Sequence, residues 1–113
     1  MNVSARIEAR PVKDGAEHIA SLRDGRHVLI DGKRVDDVTT HPAFRNIVAS
    51  VGAMYDFQAK PENAELMTFV EPGGRRVNRA WQLPTSYAEL VKRREALVAW
   101  LELSAGYLGR SPD

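Results

Sequence analysis

The spacing of apolar and polar residues changes along the chain, and these changes predict the order of the strands and helices. Residues 28–30 (VLI) and 33–35 (KRV) flank the pair Asp31-Gly32 as candidate strands. An Asp-Gly pair in this position favours a type I′ turn, because that turn needs a positive φ at both central residues. The stretch therefore predicts a β-hairpin over about residues 26–35.

A helical spacing follows the hairpin. Thr39 or Thr40 can cap the N–H groups at a helix start, and Pro42 is tolerated in a first turn, where no N–H donor is needed. We predict a helix over about residues 42–57, ended by the break at residues 60–63 (KPEN). Its predicted apolar face consists of Phe44, Ile47, Val48, Val51, Met54 and Tyr55.

A short helix is predicted before the hairpin. Asp14 and Glu17 have the spacing of a capping box, in which a side-chain acceptor precedes a carboxylate by three residues. The helix should bury Ile19 and Leu22 and stop near Gly25.

A long final helix is predicted over residues 87–108. Ser86 and Glu89 repeat the capping-box spacing, and Glu89 can pair with Arg93 one turn later. Gly106 and Gly109 are expected to end the helix. The predicted buried side consists of Tyr87, Leu90, Val91, Leu97, Val98, Leu101 and Leu108.

Between the two long helices the pattern predicts a second hairpin. Residues 66–70 and 77–83 are candidate strands, and residues 71–74 (EPGG) are the turn. A lone pair of strands is marginal in water, so both hairpins should lie against the helices, as one small sheet. The predicted fold class is α+β, mainly α, with residues 1–12 as a loosely ordered leader and residues 13–113 as one N-terminal helical domain.

Composition excludes several classes of function. A chain of 113 residues with 43% hydrophobic and 27% charged residues is one globular domain at most. Its net charge of +1 gives no electrostatic basis for a nucleic-acid or membrane partner, and no apolar run approaches the ~20 residues of a membrane span. With no cysteine there is no disulfide or thiolate site, and a reducing cytoplasm is the simplest setting.

Few side chains suggest chemistry by their spacing. His18, His27 and His41 are scattered and do not form a metal-ligand motif, so we interpret His41 as a helix-start residue that bonds to backbone. No glycine-rich nicotinamide fingerprint is present. Trp81 and Trp100 are interpreted as core or interface aromatics.

Two segments carry a resemblance to a known family. Residues 31–46 (DGKRVDDVTTHPAFRN) and 109–113 (GRSPD) resemble the N-terminal signature of the 4-hydroxyphenylacetate 3-hydroxylase family. These proteins are the oxygenase components of two-component, flavin-dependent aromatic monooxygenases. Family members are several times longer, so the resemblance covers nearly all of this chain but only the front of theirs. The resemblance implies that this chain forms the N-terminal part of an acyl-CoA dehydrogenase-like architecture.

The resemblance implies a function that this chain does not perform alone. Family members hydroxylate phenols such as 4-hydroxyphenylacetate beside the ring hydroxyl, using FAD that a separate flavin reductase supplies in reduced form. Their flavin-binding and catalytic residues lie in later domains, so we expect no catalytic or cofactor-binding residue here. The expected partners are the remainder of the oxygenase chain, the reductase and a phenolic substrate, in a homo-oligomer when the enzyme is complete.

Arg110 is the candidate substrate-binding residue. By motif match it is similar to the family arginine that contacts the phenolic substrate, and a guanidinium makes forked hydrogen bonds to oxyanions. The alternative role is that of a basic residue just past a helix end, where it interacts favourably with the helix dipole.

Two other functions stay open at this point. The N-terminal region of 4-hydroxybutyryl-CoA dehydratase is similar, but that enzyme takes iron–sulfur ligands from the helix matching this chain's last one. Residues 100–109 (WLELSAGYLG) contain no cysteine, which argues against such a cluster. A non-enzymatic helical scaffold or partner protein is the other alternative.

Overall fold

The structure is a computed structural model that describes residues 12–106. Within this range four α-helices and two small antiparallel sheets make a mainly helical chain, as predicted. Residues 13–56 form one compact unit, and residues 57–106 with Val12 belong to another. The predicted leader lies almost wholly outside the described residues.

Helix α1 (Gly15–Ser21) opens the first unit at the predicted cap. The Asp14 carboxylate accepts the backbone N–H of Glu17 at 2.8 Å, which satisfies one of the unpaired donors of the first turn. Leu22 closes the helix, and Gly25 follows with a φ of +78°. The prediction of a short helix that stops near Gly25 is confirmed, but the predicted burial of Ile19 and Leu22 is not, because both are only half-buried and Gly15 is the buried residue.

The first hairpin also matches its prediction. Strands β1 (Val28–Ile30) and β2 (Lys33–Val35) pair antiparallel, with Val28 opposite Val35. Asp31 and Gly32 both have positive φ, at 51° and 75°. These values are what a two-residue turn of the predicted kind requires.

Helix α2 (Arg45–Ala59) begins three residues later than predicted, and the predicted threonine cap is wrong. The N–H and hydroxyl of Thr39 both donate to the Asp37 carboxylate, at 2.9 and 2.6 Å, so this threonine serves the turn before the helix. His41 takes part in the helix start instead, because its Nδ1 accepts the N–H of Ala43 at 3.0 Å. The interpretation of His41 as a backbone-bonding residue is therefore confirmed.

Helices α1 and α2 meet at two glycines. The N–H of Gly15 donates to the Asp56 carboxylate at 2.8 Å, and Gly15 faces the backbone of Gly52 so closely that a Cβ would overlap the Gly52 carbonyl oxygen. Of the predicted α2 face, Val48 and Met54 are buried, whereas Ile47 is 45% exposed, contrary to the prediction.

The second unit contains shorter strands than the sequence predicts. Leu66 and Met67 belong to a helical turn and not to a strand, and residues 79–81 form a 3₁₀ turn. The two hairpins are separate two-stranded sheets and not one sheet. In chain order, the elements are the 3₁₀ turn Pro61–Asn63, α3 (Ala64–Met67), β3 (Thr68–Val70), β4 (Arg76–Asn78), the 3₁₀ turn Arg79–Trp81 and α4 (Tyr87–Glu102).

The start of α4 is capped from both sides. The Ser86 hydroxyl accepts the N–H of Glu89 at 3.1 Å, as predicted. The Glu89 carboxylate turns back to accept the N–H of Thr85 at 2.6 Å and its hydroxyl at 3.0 Å, and these bonds hold the pKa of Glu89 below its ordinary value. The predicted pairing of Glu89 with Arg93 is wrong, because Arg93 instead donates to the Ala80 carbonyl at 3.1 Å.

Helix α4 ends at Glu102, six residues before the predicted end. Ala105 and Gly106 adopt positive φ, and the N–H of Gly106 returns to the Leu101 carbonyl at 3.0 Å. This is the left-handed termination that glycine favours, so the expected role of Gly106 is confirmed, whereas Gly109 lies outside the described residues.

The predicted buried side of α4 is wrong in part. Ala96 and Trp100 are the buried residues of the helix. Three residues predicted to be buried are exposed instead: Tyr87 at 82%, Leu90 at 50% and Val98 at 48%.

The close approach of α1 and α2 predicts a steric effect at Gly15. Gly15→Ala would normally favour a helix, but here the new Cβ would lie 2.8 Å from the Asp56 carboxylate and would overlap the Gly52 carbonyl. We expect the free energy of unfolding to fall by about 1–3 kcal/mol. Urea denaturation, monitored by circular dichroism, measures this free energy of unfolding. The control is Ala16→Gln on the exposed side of the same turn, and an unchanged Gly15→Ala variant would contradict the predicted overlap.

Candidate functional site

A buried arginine organises the second unit. Arg79 is only 7% exposed. Its Nη2 donates to the carbonyl oxygens of Glu65 and Thr68, each at 2.7 Å, and its Nε donates to that of Leu66 at 3.2 Å. Its Nη1 donates to the side-chain oxygen of Gln82 at 3.2 Å. One guanidinium thus ties the end of α3 and the start of β3 to the segment after β4.

The residue before it shapes the same segment. Asn78 is the cap of the 3₁₀ turn, and its side-chain oxygen accepts the N–H of Ala80 at 2.7 Å. Its amide nitrogen donates to the Gln58 side-chain oxygen at 2.6 Å, in a buried hydrogen bond. Asparagine is well suited to both roles, because it carries an acceptor and two donors.

Thr68 links this cluster to the neighbouring strand. Its carbonyl accepts from Arg79, and its hydroxyl donates to the Ala64 carbonyl and accepts from Nη1 of Arg76 at 2.9 Å. Thr68 is almost fully buried. Its burial is possible because these hydrogen bonds satisfy its polar atoms.

Residues 78–82, which we name the clamped segment, are therefore held from several directions. Arg79 and Asn78 fix it from within, and Arg93 of α4 donates to the Ala80 carbonyl. Trp81, in this segment, nevertheless leaves 70% of its surface exposed, and Leu83 just beyond it leaves 87%. A rigid backbone here presents large apolar side chains outward.

The chemistry of Arg79 is that of a structural clamp. Four of the five N–H donors of a guanidinium are used, and all four acceptors are neutral oxygens. These bonds satisfy the donors without neutralising the charge. Most of its donors are therefore committed to the protein, and its burial leaves little of it open to a ligand.

Sequence reasoning missed this cluster because it treated residues 77–83 as one strand. The signal was present as an Asn-Arg pair in the middle of the candidate strand. Asparagine is depleted in strands and favoured at caps, and a buried arginine needs several acceptors close together. The sequence could not identify those acceptors, because most of them are backbone carbonyls from another part of the chain.

The histidines do not converge on a common site. The ring of His18 stacks on Tyr55 with centroids 4.2 Å apart, and burial, followed by the charge of Lys13, lowers the pKa of His18. His27 is exposed. Within residues 12–106 no group of three or more potential ligands could hold a metal ion. In the same range no helix is long and apolar enough to cross a membrane.

Trp100 is buried, in agreement with its interpretation as a core aromatic. Trp81 is exposed and is not a core residue. Arg110, the candidate substrate-binding residue, lies outside the described residues. The sequence analysis placed Arg110 just past the end of the last helix. That placement is wrong, because α4 ends at Glu102. Gly106, the last described residue, precedes Arg110 by four positions.

Comparison with known proteins gives a consistent result. A family model described as "4-hydroxyphenylacetate 3-hydroxylase N terminal" matches residues 14–113. The chain is 45% identical over 105 residues to a 4-hydroxyphenylacetate 3-monooxygenase oxygenase component of Geobacillus sp. (strain PA-9), covering 91% of this chain and 21% of that protein. It is 44% identical over 108 residues to the oxygenase component of a 4-nitrophenol 2-monooxygenase from Rhodococcus sp., covering 94% of this chain and 21% of that protein.

A solved structure agrees in fold. The crystal structure of the oxygenase component of 4-hydroxyphenylacetate 3-monooxygenase, complexed with FAD and 4-hydroxyphenylacetate, matches with a TM-score of 0.81 at 36% identity. The match covers 89% of this chain and 21% of that one. The chain thus spans about one fifth of the length of the relatives it matches.

The four hydrogen bonds of the buried guanidinium predict a large effect of substitution at Arg79. Arg79→Met keeps much of the side chain's length but leaves four oxygen acceptors without their donor. We expect the free energy of unfolding to fall by about 2–4 kcal/mol, measured by urea denaturation. The matched control is Arg94→Met at an exposed position of α4. Equal stability of the two variants would show that Arg79 is not a clamp.

Proposed function

Because this chain belongs to the 4-hydroxyphenylacetate 3-hydroxylase family, we propose that it forms the N-terminal part of the oxygenase component of an FAD-dependent phenol monooxygenase. The observation that supports this most directly is the fold match, with a TM-score of 0.81, to an oxygenase component bound to FAD and 4-hydroxyphenylacetate. The family model that matches residues 14–113 supports it further.

In this proposal the chain is one helical domain, residues 13–113 with a leader at 1–12, of an acyl-CoA dehydrogenase-like enzyme. Arg79, the buried cation of the second unit, already donates four hydrogen bonds to protein oxygens, so it does not offer a phosphate-binding site for FAD. In this proposal the flavin site belongs to the remainder of the oxygenase polypeptide. The complete enzyme is a cytoplasmic homo-oligomer that receives reduced FAD from a separate flavin reductase.

The proposed reaction inserts one atom of molecular oxygen beside the hydroxyl group of a phenol and releases the other atom as water. Reduced FAD, when bound, would supply the two electrons that this requires. The protein must hold the ring in one orientation and exclude water. In this proposal, Arg110 is the residue of this chain that helps to hold the ring in its orientation. Its forked donors suit a phenolate oxygen or a substrate carboxylate.

Flavin binding tests the proposed division of roles. FAD is titrated into the 113-residue chain and into a chimera in which this chain replaces the matching region of the Geobacillus oxygenase component. We expect saturable binding only by the chimera. With a flavin reductase and 4-hydroxyphenylacetate, catechol product should also form only with the chimera. Tight FAD binding by the isolated chain, or a folded chimera without flavin or activity, would overturn the proposal.

The role of Arg110 is tested in the same chimera. Arg110→Ala removes a charged hydrogen bond of about 1.5–3 kcal/mol, so KM for the phenol should rise roughly 10- to 150-fold. Arg110→Lys should recover only part of this loss, because an ammonium lacks the forked geometry. FAD affinity should not change. Exposed Arg34→Ala is the control, and an unaltered KM in Arg110→Ala would exclude Arg110 from the substrate site.

A further inference from the structure

Helix α4 has apolar residues on two opposite sides, and its own unit covers one of them. Ala96 and Trp100 are buried on the covered side, which faces α3 and the 3₁₀ turn Arg79–Trp81. Arg93 fastens the same side through its bond to the Ala80 carbonyl. Nine residues separate Tyr87 from Ala96, about two and a half turns, so Tyr87 lies on the opposite side of the helix.

The opposite side carries apolar side chains that the described unit covers only in part. We name Tyr87, Leu90, Val91 and Val98 the open face. Their spacing of three, four and seven residues places them along one stripe of the helix. Val91, Val98 and Ala99 line a shallow groove of about 470 Å³, with Tyr87 also contributing, and its charged lining residues are Arg94, Glu95 and Glu102.

This distribution is unusual for a helix that remains at the surface. A surface helix normally has one apolar stripe and a polar opposite face, whereas a helix that is apolar on both sides is buried between two layers. Arg94 lies on the same stripe, four residues from both Leu90 and Val98, and arginine among apolar and aromatic side chains is typical of protein interfaces. The open face therefore has the properties of a contact surface.

We propose that the open face is the surface on which the rest of the oxygenase polypeptide packs. This inference rests on the proposed function, and the length of the relatives supports it. This chain spans only 21% of them, so most of such an enzyme lies beyond the part described here. Packing within one polypeptide also occurs at a high effective concentration, so a small apolar stripe is sufficient.

A second copy of this chain fits the open face less well. A stable interface between separate proteins buries about 800 Å² on each partner, more than four side chains on one helix supply. The clamped segment gives further support for a larger partner. It holds Trp81 on a fixed backbone with 70% of the side chain exposed, and a large aromatic residue on a rigid backbone is a typical anchor of an interface.

Hydroxyl-radical footprinting tests the proposal without any substitution. Tyr87 should be oxidised readily in the isolated chain and at least several-fold more slowly in the chimera with the Geobacillus oxygenase component. Equal oxidation in both would overturn the proposal. Flavin binding and hydroxylation by the same chimera are measured separately. An active chimera with an exposed Tyr87 refutes the packing surface alone, and an inactive chimera with a protected Tyr87 refutes the function alone.

A substitution pair gives an independent test. Leu90→Asp combined with Val98→Asp should leave the melting temperature of the isolated chain nearly unchanged, because both side chains are already about half exposed. In the chimera the same pair should lower the melting temperature by several degrees or prevent folding. Lys92→Asp, at an exposed position away from the open face, is the control and should have little effect in either protein.

The remaining outcomes are also decisive. An equal effect of the substitution pair in both proteins, or no effect in the chimera, would overturn the proposal. Sedimentation of the isolated chain tests the alternative occupant. A dimer that the substitution pair abolishes would assign the open face to a second copy of this chain and refute the inference.

Discussion

The second unit depends on the hydrogen bonds of one buried cation. Arg79 can be buried because four oxygen acceptors surround it, and those acceptors belong to the end of α3, the start of β3 and the segment after β4. Removing a guanidinium from water is unfavourable unless such acceptors are in place. The burial of Arg79 therefore requires that these parts of the chain come together in a single arrangement.

This requirement explains why a polar cluster lies where the sequence suggested a strand. Asn78 caps the turn, Arg79 fixes its start, and Arg93 fastens it to α4. The result is a rigid segment from which Trp81 projects into solvent. Rigid presentation of an aromatic side chain costs stability to an isolated domain and favours binding to a partner, which agrees with a chain that forms part of a longer enzyme.

The two sides of α4 link the fold to the proposed function. Its covered side completes the core of the unit through Trp100, and its open side carries Tyr87 and Leu90 toward solvent. The relatives that share this fold are about five times as long. In the proposed enzyme, the chain contributes a structural layer and the substrate-binding candidate Arg110, while the flavin site lies elsewhere in the polypeptide.

Local features of the sequence were sufficient for the hairpin turn at Asp31-Gly32 and for the caps at Asp14 and Ser86. In these cases a side chain and a backbone N–H only a few residues apart decide the structure, so the order of residues contains the whole interaction. The family could likewise be identified from residues 31–46 and 109–113, because a long run of specific residues does not depend on knowing the fold.

Only the tertiary structure decided which side of α4 is buried, where β4 ends and why Arg79 lies inside. The spacing of apolar residues in α4 fits two opposite faces, and the sequence alone cannot show which of them Trp100 takes to the core. The partners of Arg79 are mainly carbonyl groups, which every residue has, so no residue type identifies them in advance. Their positions become defined only when segments distant in sequence have packed together.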